Sequence, residues 1–298
     1  MTAAQATPSS FHVQSGKVRL AVYQRGNPKH PTVILVHGYP DNHDVWDKVA
    51  GLLENDFHVV SYDVRGSGAS TTPRFPWDYT LDKLSADLQA VMDAVSPDQP
   101  VHLVAHDWGS IQTWESVTDP ALQHRIASFT TVSGPCLDHV GKLLRSHLNN
   151  PTPDNVRKLL TQAAHSWYIF LFQAPLLAPT LWRAGLAKRW PQLLQKLENV
   201  QSAEANPNQL HDGVNGIQLY RANMLPRVLN PRERFTGVPV NLLVPLDDNF
   251  VRPMLFENLE HWAPRLTRTE VYGGHWQLLL DQPEVLAGAV REFVQSLA

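Results

Sequence analysis

The chain of 298 residues contains a single cysteine, Cys136. No internal disulfide can form, and nothing in its cysteine usage points to an oxidising compartment. A lone cysteine of this kind is expected to be a small core or surface residue. Charge is sparse as well. Asp, Glu, Lys and Arg make up 18% of the residues, the net charge is -3, and no long basic run occurs; nucleic acid is therefore not an expected partner. No stretch of ~20 consecutive apolar residues is present, so no spanning helix is expected. The nearest approach, WYIFLFQAPLLAPTLW from Trp167 to Trp182, is short and is broken by Gln173, Pro175 and Pro179. The opening MTAAQATPSS has neither the basic start nor the apolar stretch of a secretory signal, and a cytoplasmic location is expected. Internal repeats and low-complexity segments are also missing. Hydrophobic residues, at 43%, supply the core of an ordinary globular protein. The length suits one large α/β domain with an insertion.

One further absence is local and chemical. In VHLVAHDWGS, Val101 to Ser110, a buried strand (Val101 to Ala105) runs into a tight turn and then a helix. Ala105 and Gly109 are the small flanks of a nucleophile elbow, a turn that usually presents a serine. The apex here is Asp107. The hydroxyl of Ser110, three positions later, reads as part of the helix N-terminus and not as the nucleophile.

Elsewhere, KVRLAVYQ (17–24) alternates like an early antiparallel strand. The runs PTVILVHG (31–38) and FHVVSYDV (57–64) suit buried strands. Val45 to Leu53 and Tyr79 to Val95 read as helices, the second with apolar residues at Leu84, Leu88, Val91 and Val95. RGSGAS (65–70) is a glycine-rich turn, and Ile126 to Val132 a further strand. From about Pro135 to Phe235 no convincing strand occurs, and the segment is helical in character, with several prolines. Strands resume with VPVNLLVPL (238–246) and RLTRTEVYG (265–273), and an amphipathic helix, Glu284 to Leu297, closes the chain. The organisation expected is a core over 1–134 and 236–298, interrupted by a helical insertion over 135–235.

Asp107 is followed by Asp248 after a strand and by His275 in GGHWQ after the last strand. Nucleophile, acid, base is the chain order of α/β-hydrolases. Each of the three falls at the C-terminal end of a predicted strand, where open α/β sheets build their sites. Asp247 is the alternative acid. Two backbone N–H groups are expected to form an oxyanion hole, those of Trp108 after the nucleophile and of Tyr39 in HGYP (37–40).

HGYP, DVRGSGAS (63–70), AHDWGS (105–110), the Asp248 region and GGHW, in that order, resemble the α/β-hydrolase superfamily in its epoxide hydrolase and haloalkane dehalogenase branch, closest to epoxide hydrolases. The resemblance implies a mostly parallel central sheet flanked by helices, with a helical cap inserted after the sixth strand. It also places Asp248 as the acid. Some relatives of this appearance are joined to a short-chain dehydrogenase domain; no such domain is expected in this sequence.

An aspartate at the elbow suits attack on a saturated carbon. A serine would leave an ether, which activated water cannot readily cleave. An aspartate leaves an ester with a carbonyl that water can attack, which divides one hard step into two easier ones. A carboxyl of reference pKa ~3.9 is ionised at neutral pH and needs no base. His275 is then expected to activate the hydrolytic water, with Asp248 orienting the imidazole.

Epoxides and halides differ in the leaving group. An epoxide oxygen leaves as a strongly basic alkoxide and needs proton donors, for which the family solution is two cap tyrosines. HSWYIFLFQAP (165–175) resembles the first epoxide-hydrolase cap motif and points to Tyr168, with Phe172, Gln173 and Pro175 as its anchor. LYRANM (219–224) resembles the second and points to Tyr220. The halide alternative has the Trp108 indole, but dehalogenases of the branch usually carry asparagine where Tyr39 stands; Asn42 is three residues too late. A non-catalytic binding role is the third reading. Trp108, Trp167, Phe172 and Trp276 are expected to line the substrate site. The substrate expected is a small apolar epoxide, lipid-like chains included. The apolar run Trp167 to Trp182 reads as cap packing or, more sharply, as an access channel or a patch touching membrane. His37, His102 and His106 read as core and elbow support rather than metal ligands. RGSGAS lacks the P-loop lysine, so neither metal nor organic cofactor is expected. Oligomeric state is not legible.

Overall fold

The computed structural model describes residues 9–297. Eight strands form one sheet: β1 (Ser9–Ser15), β2 (Val18–Arg25), β3 (Thr32–Val36), β4 (His58–Tyr62), β5 (Val101–His106), β6 (Ile126–Val132), β7 (Val240–Pro245) and β8 (Leu266–Val271). Their order is β1-β2-β4-β3-β5-β6-β7-β8. β1 pairs antiparallel with β2, β2 antiparallel with β4, and every later pair is parallel. The strands in the middle are apolar throughout because both faces are covered: every residue of β3, β4 and β7 is buried. One hydrophobic cluster fills each face of the sheet. The β8 edge is shielded otherwise, with exposed polar and charged residues such as Arg268 and Glu270.

The helical segment lies between β6 and β7, as the resemblance implied. It comprises helices at Leu137–Asn149, Pro153–His165, Trp167–Gln173, Leu177–Leu181, Ala187–Glu198 and Gln209–Leu229. β1 is an addition to the strands read from the sequence. SSFHVQS is largely exposed at the sheet edge and carries little of the apolar alternation that marks β2.

One aromatic residue of the core is central to the seating of the cap. Tyr39 is buried, and its hydroxyl donates to the Gly213 carbonyl at 2.9 Å while accepting the Trp182 indole N–H at 2.7 Å. Two helical glycines make this approach possible. A Cβ at Gly213 would meet the Trp182 ring, and one at Gly216 would strike the Tyr39 ring. A second seam runs from Asp212, whose carboxylate accepts from the Gly68 N–H and the Asn42 amide. Asn223 completes it, accepting from the Leu81 N–H at the start of helix Leu81–Val95 and donating to the Tyr79 carbonyl. Among the described residues no helix is long and apolar enough to cross a membrane.

The glycine contacts predict the effect of Gly216→Ala. Alanine gains about 1 kcal/mol in a helix interior, but a methyl forced against a buried ring costs about 1–3 kcal/mol. A net loss of stability is expected in urea denaturation. A variant more stable than the wild type would show that the Tyr39 ring has room to yield.

Candidate active site

Asp107 sits where β5 turns into helix Trp108–Val117, with φ 52° and ψ -126°. This left-handed conformation is strained for a residue with a Cβ, and the surroundings hold it. A Cβ on Gly109 would collide with the carbonyl oxygens of Val36 and His37, and one on Gly134 with the Asp107 carbonyl oxygen. The elbow is thus wedged between the ends of β3 and β6, which accounts for the glycines at 109 and 134. Ser110 is spent in this packing: its hydroxyl is buried against Thr131 and donates to the Gly134 carbonyl at 2.7 Å.

The two oxygens of Asp107 have different surroundings. Oδ1 accepts the Tyr39 backbone N–H at 2.7 Å. Oδ2 faces His275 Nε2 at 3.4 Å. His275 Nδ1 in turn lies 2.9 Å from Asp248 Oδ2, and Asp248 Oδ1 accepts the N–H groups of Phe250 and Val251 at 2.8 Å each. Asp248 follows β7 and His275 follows β8, so the ends of three parallel strands bring the three residues together. Asp247 is not in this contact; its backbone N–H bonds the Gly273 carbonyl.

Charge governs the titration of this group. Burial opposes a charged imidazole at His275, but the neighbouring Asp248 and Asp107 carboxylates override it and raise its pKa well above the ordinary 6.5. Burial likewise opposes ionisation of Asp248, yet the His275 charge and the two N–H donors bring its pKa below 3.8. His106 packs against the imidazole with ring centroids 4.7 Å apart, and its Nε2–H donates to the His275 carbonyl at 2.9 Å. Burial lowers its own pKa to about 3, so it stays neutral. His37 accepts the Val64 N–H and bonds the Gly38 carbonyl, and His102 bonds Ser128. These three histidines are occupied in supporting the strand ends. Among the described residues, no group of three or more His, Cys, Asp or Glu is gathered as a metal site.

The cap brings Tyr168 and Tyr220 over the elbow. Two chambers meet there, one of about 200 Å³ and one of about 160 Å³. Asp107, Tyr168, Tyr220 and Phe250 stand in the walls of both. The first extends along Ile111, Leu137, Val140 and Met224, with Trp108 near the elbow; the second along Phe172, Leu186, Trp190 and Trp276 to His275. Trp167 stands at the outer rim of the second, 64% exposed. Burial, then the charges of Asp107 and Asp248, raise the Tyr168 pKa, while a side-chain hydrogen bond with Tyr220 opposes them. Burial also leads at Tyr220, with Tyr168 and Asp107 adding to it and a hydrogen bond with Trp108 opposing.

The two cap motifs are tied to each other. The Arg221 guanidinium donates to the carbonyls of Phe172, Ala174 and Pro175, and the Gln173 amide donates to the Tyr220 carbonyl at 3.2 Å. A fork of N–H donors can hold several carbonyls of a bent segment at once. The tie fixes helix Trp167–Gln173, which carries Tyr168, against helix Gln209–Leu229, which carries Tyr220.

Three site residues escaped sequence reading. Glu198, at the end of cap helix Ala187–Glu198, accepts the His275 backbone N–H at 2.6 Å. Its approach requires Gly274, where a Cβ would crowd the Glu198 carboxylate, and the glycine pair was the sole signal. Phe250 packs between Tyr168 and His275, with ring centroids 5.5 and 5.4 Å away. Asp41 accepts the Trp276 indole N–H at 2.8 Å, and burial pushes its carboxyl up to about 7.

A family model for the alpha/beta hydrolase fold matches residues 31–282. The probable oxidoreductase EphD of Mycobacterium tuberculosis is 36% identical over 288 residues, covering 93% of this chain and 48% of that protein. The chain therefore spans about half the length of that relative. Epoxide hydrolase A of Mycobacterium tuberculosis is 27% identical over 278 residues, covering 92% of this chain and 75% of that one. A Bacillus megaterium epoxide hydrolase solved with an inhibitor has a TM-score of 0.79 at 20% identity, over 96% of this chain and 100% of that one. The last likeness concerns the fold alone. With the elbow, the strand order and the inserted cap in place, the chain belongs to the alpha/beta hydrolase fold family, closely related to its epoxide hydrolases.

Proposed function

We propose that this protein is an epoxide hydrolase that passes through an ester on Asp107. The observation that carries this reading is the pair of cap tyrosines, Tyr168 and Tyr220, walling both chambers at Asp107. A binding protein has no need of a nucleophile, a base and two proton donors converging on one point. A halide site would need free N–H donors, and the residue after His37-Gly38 is Tyr39, whose N–H is given to Asp107.

Oδ2 is the oxygen free to attack. It bonds to an epoxide carbon, the carbon–oxygen bond breaks, and the leaving oxygen takes a proton from Tyr168 or Tyr220. His275 then draws a proton from water as the water attacks the Asp107 carboxyl carbon. The negative charge that forms on Oδ1 stays in the Tyr39 N–H bond, with the Trp108 N–H as the second donor. Collapse expels the diol oxygen, which takes the proton from the imidazolium. The aspartic acid left behind returns a proton to the tyrosinate. Epoxide and water have become a diol, and the water oxygen resides in Asp107.

Ester formation removes the charge of Asp107. That charge helps to hold the His275 pKa up and the tyrosines protonated. Its loss makes the tyrosines better acids as the epoxide oxygen becomes basic, and it lowers the His275 pKa when a neutral base is required. The apolar walls of both chambers support an epoxide set between two hydrophobic arms.

His275→Gln should form the ester and fail to release it. Intact mass after incubation with an epoxide is expected to rise by the whole epoxide, mapped to Asp107. A gain of an alkyl group from haloalkanes alone would establish dehalogenation instead, and rapid turnover by this variant would remove His275 from the role. Tyr168→Phe and Tyr220→Phe are each expected to slow ester formation by about 10²–10⁴.

The pH dependence carries a sign. The base is the neutral imidazole, so ester hydrolysis should rise with pH and level off. Its midpoint is expected below the His275 titration in the free protein, read by NMR of the ring, because the ester lacks the Asp107 charge. A midpoint at or above that titration would rule out charge release as the cause.

Arg221→Lys is expected to lower turnover at least tenfold and to speed amide exchange in residues 172–176, since an ammonium cannot replace the planar fork. Unchanged exchange and turnover would show that the tie between the motifs does not position the tyrosines.

A further inference from the structure

The exposed apolar side chains of this protein are concentrated on one part of it. Of the eighteen large hydrophobic residues that are exposed among the described residues, thirteen lie between β6 and β7. Several stand at the chamber entrances. Trp167 and Phe170, one turn apart on helix Trp167–Gln173, are 64% and 68% exposed. Trp167 rims the chamber that reaches His275, and Phe170 rims the other. Leu176 and Leu177, which follow this helix in the chain, are 79% and 50% exposed.

Charge is separated in the same way. The residues between β6 and β7 include twelve Lys and Arg against six Asp and Glu, a formal charge of +6 in a chain whose total is -3. The remainder of the chain carries -9. Among the six acids, Asp138, Glu198 and Asp212 are buried, and Asp154 and Glu233 are paired with lysines. Arg183, Lys188, Arg189 and Lys196 are exposed and make no ion pair among the described residues.

We propose that the outer face of the cap docks on an anionic lipid bilayer. Tryptophan, phenylalanine and leucine enter the headgroup boundary while basic residues remain at the phosphates. Each basic residue near an anionic surface strengthens partitioning roughly fivefold. A second copy of the chain is a poorer occupant of this face, because two such caps would bring like charge together. The consequence for substrate rests on the hydrolase reading: both chamber mouths face the bilayer, and lipid epoxides enter without crossing water.

The test is sedimentation of the full chain with vesicles of phosphatidylcholine alone and of phosphatidylcholine with about one third phosphatidylglycerol. Binding is expected to the anionic vesicles, at least tenfold stronger than to the neutral ones, and to weaken as salt is raised from ~0.1 M to ~1 M. The triple variant Arg183→Glu, Lys188→Glu, Arg189→Glu should lose this binding tenfold or more. So should Leu176→Ser with Leu177→Ser. Both variants should keep wild-type turnover of a short, water-soluble epoxide, which also reports that they fold. Absence of binding to anionic vesicles, or equal binding to both kinds, would overturn the proposal and leave the hydrolase reading intact. A dimer in solution that both variants dissociate would overturn it in favour of a second copy. A wild type that docks but turns over no epoxide would sustain the surface and defeat the hydrolase reading.

Discussion

The site depends on a buried carboxylate to which the fold gives one strong donor. Asp107 Oδ1 holds the Tyr39 N–H, and Oδ2 is left facing an imidazole at 3.4 Å. A carboxylate shut away from water interacts strongly with its neighbours. The Asp107 charge helps to raise the pKa of His275, of the phenols Tyr39, Tyr168 and Tyr220, and of Asp41. Burial is the larger cause at the phenols and at Asp41, and Asp248 at His275, but this one charge adds to each of them. In the proposed cycle the first chemical step takes that charge off Asp107 and leaves it on a cap tyrosine, further from the imidazole, and the groups in the ring respond without any movement of the backbone.

Tyr39 joins this electrostatic arrangement to the architecture. Its N–H holds Asp107, and its hydroxyl is one of the bonds through which the cap sits on the core. Its ring touches Phe172, Trp182 and Tyr220, with centroids 5.3 to 6.1 Å apart. A displaced cap would therefore disturb the backbone donor as well as the tyrosines. Glu198 adds a second strut from the cap, to the backbone of His275. The cap and the three strand ends are parts of one construction, and the glycines at 213, 216 and 274 are the places where side chains were given up to let them close.

This division explains what the sequence could and could not reveal. Buried strands such as TVILV and VNLLVP announce themselves because both faces are covered. The elbow is legible because a sharp turn between packed strands demands a glycine at position 109. Asp248 and His275 follow from their places after β7 and β8, and the two tyrosines from motif resemblance. Glu198 lies 77 positions from His275 and Asp41 235 positions from Trp276; such contacts leave no local pattern. Phe250 looks like any loop aromatic until the loop is folded back onto the imidazole. Within the apolar run from Trp167, Phe172 is partly buried against the aromatic cluster while Trp167 and Phe170 are exposed.

The proposed role of Asp107 as a carboxylate nucleophile would also account for the cap. In water the ion is well solvated and attacks saturated carbon poorly; stripped of water it is more reactive, but burying it costs several kcal/mol even after relaxation. The protein offsets that cost with an N–H donor and with the imidazole, whose partner Asp248 is fully buried. Adding more donors to Asp107 would stabilise the ion further and remove its reactivity. The second oxygen must therefore stay underbonded, and an apolar lid limits the water that could satisfy it. The bonds of Tyr39, Asp212 and Asn223 that hold the cap down are, on this argument, what allows an aspartate to stand where a serine usually does.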